Sequence, residues 1–118
     1  SRPRLSVVIP TWNEEETLPR LLRDLRRSGK RHFEVIVVDG GSTDRTVEIA
    51  RRGGVRVVHA ERGRGRQLRA GAAAAHARWL WFLHADVRLT GRRSWRPVVP
   101  DPEGTDPRVA WYSPLRIA

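Results

Sequence analysis

At 118 residues and 39% hydrophobic side chains, the chain holds material for one modest domain with a largely wet surface. It has no cysteine, which excludes a disulfide framework, a thiolate metal site and a cysteine nucleophile. No apolar run approaches the roughly 18–20 residues that span a bilayer, and the formal net charge of +10 leaves anionic partners open.

The first apolar run, Leu5 to Pro10, has strand length and is followed by the polar Thr11-Trp12-Asn13-Glu14-Glu15-Glu16. Leu18, Leu21, Leu22 and Leu25 then recur at helical spacing, with Arg20, Arg23, Asp24, Arg26 and Arg27 turned outward. Thr17 suits the N-cap of that helix, Pro19 its first turn and Gly29 its stop. A second strand, Phe33 to Val38, leads into Asp39-Gly40-Gly41-Ser42-Thr43-Asp44, where Ser42 or Thr43 is expected to cap a helix running to Arg52. A third strand, Val55 to Val58, precedes Glu61-Arg62-Gly63-Arg64-Gly65-Arg66-Gln67 and an Ala-rich helix ending near His76. The fourth, Trp79 to Leu83, ends at His84-Ala85-Asp86. The alternation of strand and helix predicts an α/β fold, a doubly wound and mostly parallel sheet. From Gly91 onward five prolines and no clear period point to an irregular or disordered tail, so the expected organisation is 1–90 and 91–118.

In such a sheet ligands bind beyond the carboxyl ends of the strands, where all four polar segments fall. Asp39 has two readings: it orders the turn, or it accepts hydrogen bonds from a base or ribose. Asp44 suits the positive end of the helix dipole. Gly63-Arg64-Gly65-Arg66 offers backbone and guanidinium groups to phosphate, or is a solvated turn; it is neither a P-loop nor a Gly-x-Gly-x-x-Gly motif. Asp86, directly after a buried strand, either holds Mg²⁺ or Mn²⁺ together with substrate phosphates or simply ends the strand.

Three segments, Ser6 to Glu14, Val37 to Asp44 and Phe82 to Asp86, resemble in order and spacing the signatures of family-2 glycosyltransferases with the GT-A, Rossmann-like fold. The resemblance covers roughly residues 4 to 90. It implies an inverting enzyme that takes a sugar from a nucleotide-diphosphate donor, usually UDP-linked, with Mn²⁺ or Mg²⁺. By the same resemblance Pro10, Thr11 and Glu14 line the base pocket and Asp39 meets base or ribose. Arg66 and Gln67 approach the nucleotide, and Asp86 matches the last acid of the Asp-x-Asp metal motif. His84 replaces the first acid of that motif and can still donate to ribose or phosphate. The His-Ala-Asp form resembles a bacterial subgroup linked to glycosylation of carotenoid acids, which makes a lipid or carotenoid acid the acceptor to consider.

Nothing from Gly91 onward matches the family's acceptor half, and none of Asp101, Glu103 and Asp106 is nominated as catalytic base. The expectation is therefore a truncated, inactive piece; Ser1-Arg2-Pro3-Arg4, with no initiator Met and no secretory signal, fits a trimmed chain. A non-catalytic nucleotide-binding module is the alternative, and a basic nucleic-acid-binding domain a third. Against the third, Phe33, Trp79, Trp81 and Phe82 lie in apolar runs instead of alternating with basic residues. All but one of the 23 basic residues are Arg, Lys30 being the exception, which suits a composition bias as well as a phosphate- or membrane-facing surface. The expected location is the cytoplasm, with peripheral contact at the inner membrane face and no nucleic acid bound.

Overall fold

A computed structural model of the chain describes residues 5–27, 33–77, 79–89 and 109–110. In order these form β1 (Leu5–Thr11), α1 (Leu18–Arg27), β2 (Phe33–Asp39), α2 (Thr46–Arg52), β3 (Arg56–His59), α3 (Arg64–Ala74), β4 (Trp79–Phe82) and β5 (Val109–Ala110). The sheet order is β3-β2-β1-β4-β5, and every neighbouring pair is parallel. The doubly wound α/β fold expected from the sequence is the one found. Most of the segment 91–118 lies outside the described residues, as does Gly29; within that segment Val109–Ala110 pairs with Leu80 and Trp81.

The chain steps outward from β1 to β2 to β3, then crosses back over β1 to lay down β4. Right-handed crossovers therefore set α1 and α2 on one face and α3 on the other. Two apolar clusters follow this division. On one face Leu18, Leu21, Leu22, Leu25 and Ala50 pack with Leu5, Val7, Ile9, Val37 and Trp81. On the other, Val8, Ile36 and Val38 meet Leu68, Ala70 and Ala74 of α3. β1, at the centre, is sealed on both sides, which is why its sequence is a continuous apolar run. α3 lies so close to the sheet that a Cβ on Gly71 would stand 2.3 Å from Val8 Cγ1.

The helix starts differ from those expected. The Thr17 hydroxyl donates back to the Glu14 carbonyl at 3.5 Å and caps no N–H. α2 begins at Thr46, and neither Ser42 nor Thr43 caps it; Asp44, two residues ahead, accepts from the Thr46 N–H at 2.9 Å and from the Thr46 hydroxyl. Asp24 is the larger correction. It is buried, and its carboxylate faces Arg88 across the molecule instead of solvent.

At the amino end of the sheet Glu34 ties three strands to the segment that follows α3. Its carboxylate accepts from Ser6 Oγ at 2.7 Å, Arg56 Nη1 at 2.8 Å and the His76 N–H at 2.8 Å, and pairs with His76 Nδ1 at 2.9 Å. Burial alone would raise this carboxyl, but these donors outweigh it and hold the pKa at about 2.

Candidate functional site

The carboxyl ends of β1, β2, β3 and β4 share one edge of the sheet, so their loops meet there. The strand order reverses between β1 and β4, the position at which open α/β sheets hold ligands. The loops after β1 and β2 are laced together through Asn13. Its backbone takes φ of 53°, a left-handed conformation that Asn tolerates, and its Oδ1 accepts from the N–H groups of Thr43 at 2.8 Å and Asp44 at 3.3 Å. The Asn13 N–H donates to Ser42 Oγ at 2.8 Å, and the Glu14 N–H to Thr46 Oγ1 at 2.8 Å.

Beneath these loops lies a buried polar knot. Asp39, 1% exposed, accepts at one oxygen from Thr11 Oγ1 (2.8 Å) and Ser42 Oγ (2.6 Å), and at the other from the N–H groups of Ser42 (2.8 Å) and Gly41 (3.0 Å). Four donors fill the four lone-pair directions of the carboxylate. Burial would raise its pKa; the hydrogen bonds from Ser42, Thr11 and Gly41 more than compensate and hold it below the usual range. Of the two readings of Asp39, the turn-ordering one is what this geometry displays. Gly41 has φ of 96°, which explains the glycine at that point of the turn.

Gln67 belongs to the same knot. It is 5% exposed, and its Nε2 donates to the carbonyls of Thr11 and Val38, both at 2.9 Å, while its Oε1 accepts from the Gly63 N–H at 3.1 Å. Its amide is thus spent on clamping the start of α3 to the ends of β1 and β2. Of the residues expected near the nucleotide, Gln67 is thus one whose amide is bonded to the backbone under the crevice. Thr11 is buried likewise, its hydroxyl turned to Asp39.

The remaining candidates are accessible. Pro10 is half-buried at the end of β1 and Glu14 half-buried in the loop beyond it. Arg66, in the first turn of α3, pairs with Glu61 at 2.7 Å, both side chains well exposed. The structure also brings forward two residues the sequence reading passed over. Trp12 is the large hydrophobic side chain left exposed among the described residues, at 38%, and the Arg62 guanidinium lies 3.5 Å from its ring centroid. An exposed Trp in a polar loop that follows a buried strand was the available signal.

Beyond β4 the chain turns at Ala85 and Asp86. Leu83, Ala85, Val87 and Leu89 are buried while His84, Asp86 and Arg88 are exposed. The Leu83 N–H donates to the Val8 carbonyl at 3.0 Å, so this segment starts alongside the end of β1. The side chains of His84 and Asp86 have no hydrogen-bond or ion-pair partner among the described residues.

The model of the family described as "Glycosyl transferase family 2" matches residues 6–117. The chain belongs to glycosyltransferase family 2. The match runs beyond the span of roughly 4 to 90 that the three motifs carry. This family-2 chain is 36% identical over 94 residues to the PGL/p-HBAD biosynthesis glycosyltransferase of Mycobacterium bovis, covering 74% of the chain and 37% of that protein. It is 35% identical over 103 residues to the 4,4'-diaponeurosporenoate glycosyltransferase of Staphylococcus haemolyticus, covering 80% of the chain and 27% of that protein. Among solved structures it is similar to glucosyl-3-phosphoglycerate synthase from Mycobacterium tuberculosis in complex with Mn²⁺, UDP and glucosyl-3-phosphoglycerate. That likeness has a TM-score of 0.64 and 28% identity, and covers 72% of the chain and 35% of the other. The chain thus spans well under half the length of these relatives.

The family-2 chain's own groups can be tested against a divalent ion. Among the described residues no three His, Asp or Glu side chains gather into a ready-made cage. Asp86 is an exposed, unpaired carboxylate at the rim of the crevice, a donor suited to a hard cation that completes its shell with phosphate oxygens and water. The donor set fits an ion that arrives with a diphosphate. Among the described residues no helix is long and apolar enough to cross a membrane.

Proposed function

We propose that this chain forms the donor side of a glycosyltransferase that takes a sugar from a nucleotide diphosphate, UDP above all. The observation that carries it is the meeting of four loops at the β1/β4 reversal with an unpaired Asp86 carboxylate at its rim. Pro10, Glu14 and Trp12 supply the walls for the base. Asp39, Thr11 and Gln67 hold that wall rigid from below, and contact of Asp39 with base or ribose requires it to exchange one of its present donors. Arg66, freed from Glu61, and His84 supply donors for diphosphate or ribose oxygens. Asp86 holds Mn²⁺ or Mg²⁺; the ion, when bound, supplies positive charge that stabilises the departing diphosphate.

In this reading an acceptor hydroxyl attacks the anomeric carbon from the side opposite the diphosphate, which leaves with inversion. This chain's part is to fix the donor so that its anomeric carbon is presented to the acceptor. The likeness to a 4,4'-diaponeurosporenoate glycosyltransferase supports a lipid or carotenoid acid as acceptor. The exposed Arg20, Arg23, Arg26 and Arg27 on α1 suit peripheral contact with an anionic inner membrane face in the cytoplasm.

The test is calorimetric titration of the chain with UDP, with GDP for comparison, in the presence and absence of Mn²⁺. Mn²⁺ should tighten UDP binding, and Asp86→Ala should remove that gain while leaving the melting temperature unchanged. UDP affinity that is indifferent to both Mn²⁺ and Asp86 would overturn the assignment.

A further inference from the structure

Asp24 sits on α1, between leucines that face the sheet and among arginines that face water. Its side chain is 5% exposed, an unusual place for a carboxylate on a helix otherwise covered in basic groups. Three hydrogen bonds satisfy it, and all come from one short stretch far along the chain. Arg88 Nε lies 2.9 Å from Oδ2, Arg88 Nη2 lies 3.3 Å from Oδ1, and the Leu89 N–H donates to Oδ2 at 2.9 Å. A forked guanidinium plus a backbone N–H fixes direction as well as distance.

That stretch is the downstream end of the segment beyond β4 that carries Asp86. Its upstream end is fixed by the Leu83 N–H on the Val8 carbonyl, and its middle turns where the Val87 N–H meets the His84 carbonyl at 3.1 Å. Asp86 therefore rides on a span anchored at two points, β1 behind it and α1 ahead of it. Ala85 and Val87 are buried, which holds the span against the core, and the Asp24 contacts tie its downstream end to α1.

We propose that Asp24, acting through Arg88 and the Leu89 N–H, is a positioning residue that sets the place of the Asp86 carboxylate for a divalent ion and its diphosphate. This rests on the reading of Asp86 as the metal-holding group. Outer groups that orient a ligand typically change metal affinity by about 10–100-fold when removed. A merely structural tie would instead lower stability and leave the metal-dependent part of binding alone.

The experiment compares wild type, Asp24→Asn, Arg88→Gln and Asp86→Ala in the full chain. UDP affinity with and without Mn²⁺ and the melting temperature are measured on the same samples. Asp24→Asn and Arg88→Gln should each reduce the Mn²⁺-dependent gain in UDP affinity by about tenfold or more, with metal-free UDP affinity within about twofold of wild type. The double variant should lose no more than the stronger single one, because both act through one contact. If Asp24→Asn does not fold, Arg88→Gln decides alone, since Arg88 is half-exposed at 51%. A lowered melting temperature with the Mn²⁺ gain intact in both variants would overturn the positioning role and leave the reading of Asp86 standing. A wild type without any Mn²⁺ gain, or a gain that survives Asp86→Ala, would overturn that reading and the inference with it.

Discussion

Replacing Gln67 by Leu separates a nucleotide contact from a structural clamp. Leu keeps the bulk of the side chain and removes three hydrogen bonds, those to the Thr11 and Val38 carbonyls and that from the Gly63 N–H. The Thr11 carbonyl retains the Gly40 N–H at 2.9 Å, so it is not orphaned. Gly63 is half-buried, and its N–H has access to water. Val38 lies in the β1–β2 ladder opposite Pro10, so its carbonyl is not orphaned either, and three lost hydrogen bonds at about 0.5–1.5 kcal/mol each give a total of about 2–4 kcal/mol. For a domain of this size that lowers the melting temperature by about 10–25 °C. Circular dichroism melting gives the first number, and UDP titration well below the transition gives affinity per folded molecule, which should change by less than about threefold because the amide does not face the crevice. A melting temperature within about 2 °C of wild type together with a tenfold weaker UDP affinity would refute this account and return Gln67 to the nucleotide.

Three further outcomes are expected. Asp39→Asn should destabilise the fold by about 1–3 kcal/mol in urea denaturation, because an amide supplies one acceptor oxygen where four donors now converge; loss of UDP affinity without loss of stability would favour direct base or ribose contact instead. Glu34, held at about 2 from an ordinary 4.5, contributes stability that is complete above pH 4.5 and lost as pH falls toward 2. The full shift corresponds to at most about 3 kcal/mol, reduced to about 1–2 by the solvent around Arg56 and His76, and the Glu34→Gln stability curve should be flatter by that amount across this window. Gly71→Ala should cost about 1–3 kcal/mol, read as a lower urea midpoint, since the new methyl group would drive into Val8; an unchanged midpoint would contradict the close approach of α3.

The strands and helices were legible because their cause is local. Runs of Val, Ile and aromatic residues mark strands sealed on both faces, and Leu18, Leu21, Leu22 and Leu25 mark the buried stripe of α1. The edge at which the ligand loops gather followed from the strand–helix alternation alone. The roles of single polar residues were not legible, because their partners lie far off in sequence. Asp24 is one helical step from Leu21, on the border of the apolar stripe, and only Arg88 decides which way it turns. Gln67 and Thr11 carry groups suited to a nucleotide, but the sheet's own carbonyls and Asp39 reach those groups first. The polar His84-Ala85-Asp86 after the last strand was read as a loop, and the structure does turn there; the alternating burial from Leu83 to Leu89 shows only once the partners of that loop are known.

The crossing from β3 back over β1 also orders events in time. β1, α1, β2, α2 and β3 follow one another as neighbours and can assemble as they emerge during synthesis. The pairing of β1 with β4 joins Leu5 to Trp79, and the Asp24 contacts wait for Arg88. Until that late closure the inner edge of β1 is bare and Asp24 lacks the guanidinium and N–H that bond it in the finished fold. The pairing of β4 therefore covers the inner edge of β1, bonds a buried carboxylate and gathers the loops of the crevice together. A nascent chain halted before Trp79 would expose an apolar strand edge of the kind that chaperones recognise.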